Sequence, residues 1–265
     1  MSQDLGQTPV QLPNPLSQNA FPHLAFPLRV DGFYASLMRH VPSVEAGLGG
    51  RLLYVGELDE DGRALMVAAN IAGAASLAAT ADSVAQKQAI HDGVADFLVN
   101  SLDEALRILK NEIRKREPAA VCVAAAPEAV EQEMVERGVL PDFVRDFGLA
   151  GVLDLTAAFD GNPVLIGPLA HSKDQALVAW SVDEAPAQWL PRLDAIAMGC
   201  LTSDEAHAAQ IARRWLRLAP RYLGRLARNV RVLRCAPART GAIAERLRAA
   251  EQSGQIAVPV RIVSL

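Results

Sequence analysis

Leu53-Tyr54-Val55-Gly56-Glu57-Leu58-Asp59-Glu60-Asp61-Gly62-Arg63-Ala64 decides how this chain reads. An apolar run ends at Gly56, a short loop follows, and small residues at helical spacing begin after Gly62. That pattern predicts strand, glycine-bounded loop and helix. It is the unit in which a dinucleotide-binding fold sets a pyrophosphate against the amides of a helix N-terminus. Yet Glu57, Asp59, Glu60 and Asp61 fill the loop. Carboxylates repel phosphate, so fold and ligand already point in different directions.

On either side of this stretch the chain alternates regularly. Short apolar strands are expected at 51–55, 75–79, 96–99, 119–124 and 142–144, with helices between them at 63–72, 82–91, 101–116 and 127–137. Asp82 and Ser101 stand where N-caps belong, Glu104 completes a capping box, and Gly73 and Gly93 suit the left-handed position after a helix. Strands alternating with helices of this length predict a Rossmann-like α/β fold, a parallel sheet covered by helices on both faces, across residues 32–150. The proline-rich residues 1–31 read as an extended N-terminal arm. Gly, Pro and Asn-Pro between 148 and 168 mark a crossing to a second, smaller α/β lobe over 165–265. In that lobe a strand is expected at 176–182, a helix at 189–198 and a capping box at 202–205. A further strand at 230–235, a helix at 240–252 and a last strand at 256–263 complete it.

The chain has 265 residues, 51% of them hydrophobic, enough to bury a sizeable core. Its apolar runs fall short of the ~20 residues that span a bilayer, and no membrane partner or leader is expected. Cys122, Cys200 and Cys235 are widely spaced, which predicts free thiols in a cytoplasmic protein and no metal site. A net charge of −4 hides an imbalance: residues 201–265 hold 12 arginines and 4 acids. Arg214, Arg217, Arg221, Arg225 and Arg228 recur at intervals of 3, 4, 4 and 3, one helix face if the helix survives Pro220. Such a face suits a polyanion or an interface with another copy. Without an accompanying nucleic-acid motif, the expected reading is a solvated or subunit-facing helix in a homo-oligomer, and nucleic acid is not expected. His91 beside Asp92 could serve as an acid/base pair or simply favour a helix C-terminus. His40, His171 and His207 have no partner by spacing, and no nucleophile motif is present.

Read together, residues 49–146 resemble the NAD-binding, Rossmann-like domain of the urocanase (urocanate hydratase) family. Gly49-Gly50-Arg51-Leu52-Leu53-Tyr54-Val55-Gly56 is similar to the strand entering that family's glycine loop. Ala68–Ala78 is similar to the next helix and strand, and Leu102–Arg107 and Glu136–Asp142 fall at matching separations. The resemblance implies a cofactor loop formed by Gly56, Glu57, Asp59, Asp61, Gly62 and Arg63, with Asn70 in the following helix. It also implies NAD acting as an electrophile in a hydratase. The chain departs from the family at the cofactor contacts themselves. Asp59 and Asp61 stand at glycine positions, Ala125-Ala126 replaces a Gly-Asn pair, and Arg145–Val152 keeps only Asp146 and Ala150 of the family's signature. The expectation is a urocanase-like binding or accessory protein without urocanase activity and without a cofactor. The alternative is an NAD- or nucleotide-dependent lyase with a remodelled site, taking a small-molecule or nucleotide ligand.

Overall fold

A computed structural model describes residues 21, 23–146, 163–169, 175–201 and 206–265. Helix α1 (Ala25–Leu37) leads into β1 (Leu52–Glu57), α2 (Glu60–Ala72), β2 (Ala75–Ala79) and α3 (Ser83–Asp92). Then come β3 (Phe97–Val99), α4 (Leu102–Lys115), β4 (Ala119–Val123), α5 (Pro127–Glu136), β5 (Phe143–Arg145) and β6 (Val164–Ile166). The six strands form one parallel sheet in the order β3-β4-β2-β1-β5-β6. The chain builds outward from β1 to one side and then crosses to β5 on the other. The crevice at the carboxyl ends of β1 and β5 is therefore the topological switch point, where such sheets hold ligands.

Alternation along the strands divides the interior. Leu52 and Tyr54 of β1, with Val121 and Val123 of β4, face α4 and α5 in the smaller core. Leu53 and Val55, with Ala120 and Cys122, face the opposite way into a larger core. There α2 lies beneath α1, with ten of its residues buried. Gly62 lets backbones approach: a Cβ there would stand 2.2 Å from the Glu57 carbonyl oxygen. Gly56, at φ +74°, sits in a β-bulge where β1 slips one residue against β2.

The rest of the chain adds β7 (Ala176–Ser181), α6 (Pro186–Gly199), α7 (His207–Leu223), β8 (Val230–Cys235), α8 (Pro237–Gln252) and β9 (Arg261–Ser264). Its strands form an antiparallel sheet in the order β8-β7-β9. The larger core continues into this sheet without a break, from Leu53 and Ile71 through Trp215 to Trp180 and Leu233.

Several expectations change. The arm is helical from Ala25, because Pro27 sits in a first turn where its missing N–H costs nothing; residues 1–20 and 22 lie outside the described residues. Val164–Ile166 is a sixth strand of the first sheet rather than part of a crossing or of a second lobe. Helix α7 runs through Pro220 to Leu223, and the last strand is only Arg261–Ser264. The capping box at 202–205 and His171 lie outside the described residues.

Candidate functional site

At the switch point the acidic loop meets two arginines. Asp59 is the N-cap of α2, and the Gly62 amide donates to its Oδ1 at 2.7 Å. Arg145, the last residue of β5, grips the same carboxylate with both ends of its fork, Nη1–Oδ1 2.8 Å and Nη2–Oδ2 2.9 Å. Its Nη1 also donates to the Glu57 carbonyl at 3.2 Å, and its Nη2 lies 3.8 Å from Asp61. Arg29 of α1 pairs with Asp61 and, at 3.1 Å, with Glu60. Glu57 turns its carboxylate to the Leu58 amide. Burial is the largest influence on the Asp59 carboxyl and raises it. The Arg145 hydrogen bond and charge, with the Gly62 and Asp61 amides, outweigh burial and hold it below the ordinary range.

The loop residues Gly56, Glu57, Asp59, Asp61 and Gly62 thus gather at one place, with two cations that local sequence does not signal. Arg29 lies in the supposed arm, and Arg145 is 86 residues from Asp59. Arg63 and Asn70 do not join them. Arg63 pairs with Asp92 at 2.6 Å, and Asn70 is buried within α2 with its Oδ1 unpartnered.

His91 is held from two sides. Arg225 Nη1 lies 2.9 Å from Nε2, and Asp92 Oδ1 lies 3.1 Å from Nδ1. A guanidinium can only donate, so Nε2 accepts and the imidazole proton sits on Nδ1, toward Asp92. Asp92 also receives Arg63 and Gln88. Burial raises the Asp92 carboxyl most, but the hydrogen bonds from Gln88, His91 and Arg63 together leave it low. This cluster is a bridge between α3 and the turn after α7.

The arginine series is not one face. Arg214 is buried and donates to the carbonyls of Val44 (3.2 Å), Glu45 (2.9 Å) and Ala72 (3.2 Å), closing the C-terminus of α2. Burial lowers its pKa. Arg217 and Arg221 are exposed, with Arg221 stacked on Tyr222. The helix ends at Leu223, and a short 3-10 turn over Gly224–Ala227 carries Arg225 off to His91, with Arg228 beyond it. Among the described residues, no cluster of three or more His, Cys, Asp or Glu could hold a metal, and no helix is long and apolar enough to cross a membrane.

A cavity of about 660 Å³ opens between α1, α7 and β8. On its wall Arg234 pairs with Asp31 through two contacts to a single oxygen, Nη2–Oδ2 2.7 Å and Nε–Oδ2 2.8 Å. Tyr34 and Trp215 face each other beside it, ring centroids 5.0 Å apart. Neither Asp31 nor Arg234 stands out in the sequence; the only trace is an aspartate set among the apolar residues Val30, Phe33 and Tyr34. Residues 30–150, less than half of the chain, match the family model of the urocanase Rossmann-like domain, and the matched segment carries strands β1 to β5 of the parallel sheet.

Proposed function

We propose that this chain is a urocanase-like binding or accessory protein that neither uses NAD at the switch point nor hydrates urocanate. The observation that carries this reading is the Asp59 carboxylate, seated on the first-turn Gly62 amide of α2 and clamped by Arg145. In dinucleotide-binding domains that helix N-terminus receives the pyrophosphate. A fixed carboxylate about 4 Å from a phosphate charge costs on the order of 4 kcal/mol at an effective dielectric of about 20. The internal ion pair also consumes the cation that a phosphate would seek. The residues present therefore do not fit the cofactor that the family implies, and no catalytic step is routed through it. Self-association belongs to the same proposal; Phe97 and Leu98 on the edge strand β3 are exposed apolar residues, and light scattering tests for a dimer.

Calorimetric titration with NAD, NADH and AMP up to millimolar concentration tests the central claim, with no binding as the expected result. Saturable NAD binding that weakens in Arg145→Met would support the NAD-dependent lyase instead.

A further inference from the structure

We propose that a second cavity, between α6, the end of α7 and the 3-10 turn that follows it, binds a phosphate monoester, with Arg228 and Arg231 receiving the phosphate group. This deepens the binding-protein reading and rests on it, but lies outside the switch point and its acidic loop.

The first support is charge. The cavity, of about 260 Å³, is walled mainly by Pro186, Pro191, Pro220, Ala227, Arg228 and Arg231, and no carboxylate lines it. Arg228 is exposed and makes no hydrogen bond, ion pair or ring contact among the described residues, so its guanidinium stands uncommitted at the cavity wall. The acids in the link before α6 do not offset it. Asp183 is taken by Arg261 and Asn229, and Glu184 lies outside the lining. A site with cations and no carboxylate favours an anion.

The second support is a set of accessible donors. Arg231 gives Nε to Asp194 Oδ2 at 3.0 Å, and Nη1 to the Ala227 and Val230 carbonyls at 3.1 and 3.0 Å. Its Nη2 has no partner and, unlike that of a sealed guanidinium, stays open to solvent, so it is the end of the fork left for the cavity that Arg231 lines. Asp194 is engaged at both oxygens, since the Trp180 indole donates to Oδ1 at 3.2 Å. That pair cancels its own charge and leaves the Arg228 charge unbalanced. Ala187 adds a donor at the same wall, behind Pro186 in the first turn of α6, where an amide meets no helical carbonyl. Donors from two guanidiniums and an amide suit the three terminal oxygens of a phosphate ester better than a carboxylate.

The third support is the rest of the wall. Pro186 opens α6, Pro191 stands further along it, and Pro220 lies in the last turn of α7. Their rings carry no N–H and hold their backbone angle fixed, so with Ala227 they form a stiff apolar surface on which the organic part of an ester can rest. About 260 Å³ falls just below the range that encloses drug-sized ligands, which favours a phosphate on a small body over a dinucleotide.

Calorimetry at low salt with phenyl phosphate, inorganic phosphate and phenol tests the proposal on the full chain. Both phosphates should bind, the ester more tightly, and phenol should not. Arg228→Gln removes a side chain that has no partner, so the fold should survive while phenyl phosphate binds at least tenfold more weakly. Ala187→Asp sets a carboxylate at the cavity wall and should abolish binding; an acid in the first turn favours the helix, so that loss cannot be put down to unfolding. Failure of phenyl phosphate to bind the folded wild type, an affinity matched by phenol or surpassed by inorganic phosphate, or binding that Arg228→Gln leaves intact would each overturn the proposal. An NAD titration of the wild type and Arg228→Gln keeps the two readings apart. NAD binding that persists in Arg228→Gln would sink the closed loop while leaving this cavity standing, and failure of phenyl phosphate alone would do the reverse.

Discussion

Two aspartate–arginine pairs in this protein look alike on paper and behave differently. At the switch point, Arg145 spreads its donors over Asp59, Asp61 and the Glu57 carbonyl, while Asp59 also takes the Gly62 amide. In the cavity, Arg234 spends two nitrogens on one oxygen of Asp31 and leaves the third buried and unpartnered. Exposure also differs: Asp59 is half exposed, whereas Asp31 is 2% exposed. A pair whose donors are engaged at a solvent-facing loop closes a site. A dry pair forgoes solvent screening and is costly to break from either side. The lesson is that a charge pair in a cleft says little until each of its hydrogen bonds has been traced.

The difference should show most when each pair is broken. Asp31→Ala leaves the buried Arg234 guanidinium without a counter-charge and should cost about 3–5 kcal/mol in denaturant unfolding. Replacing both partners, Asp31→Leu with Arg234→Met, should recover most of that loss, because the guanidinium stranded by the single change is removed with its partner. Arg145→Met should cost less, about 1–2 kcal/mol, since solvent screens the half-exposed Asp59 that it abandons. Equal losses for Asp31→Ala and Arg145→Met would show that burial does not separate the two pairs.

Local signals account for the part of the fold that could be read in advance. Strands β1, β2 and β4 are continuous apolar runs bounded by Gly, Pro or caps, and their burial on both faces follows from parallel pairing. Asp82 caps its helix locally, accepting from the Val84 amide, as Ser101 accepts from the Glu104 amide. These signals sit within a few residues. The N-terminal half of helix α1, up to Asp31, was hidden because Pro27 reads as a breaker unless the first turn is known to begin there. Strand β6 is three residues between Pro163 and Gly167, too short for its pattern to register. The arginine series looked like a face because spacing assumes one unbroken helix, yet Arg214 turns inward to carbonyls of two distant segments. The site was legible at the loop and illegible in its partners. Arg29 lies 32 residues from Asp61, Arg145 lies 86 from Asp59, and Arg234 lies 203 from Asp31. No local periodicity records such pairings; only the folded topology brings them together.

The smallest expected effect is on acid unfolding, and its sign follows from the switch-point pair. The Asp59 carboxyl sits below its ordinary value of 3.8 in the folded protein. A carboxylate depressed by folding contributes stability that is complete above its unfolded value and drains away as pH falls through the lower folded one. The Asp59 contribution should therefore be lost below about pH 4. Asp92, also held low, drains in the same direction. Asp194 and Glu131 oppose it, because burial raises both, and their protonation on acidification relieves part of the strain of folding. Removing Arg145 takes away the hydrogen bond and charge that hold Asp59 down, but leaves the Gly62 amide. Arg145→Met should consequently flatten the fall in stability below pH 4 without abolishing it, and leave the profile above pH 6 parallel to the wild type. Urea unfolding at a series of pH values measures this directly. A steeper acid limb in the variant would mean that Arg145 destabilises the Asp59 carboxylate, and the reading of the loop as a closed, internally neutralised site would fall with it.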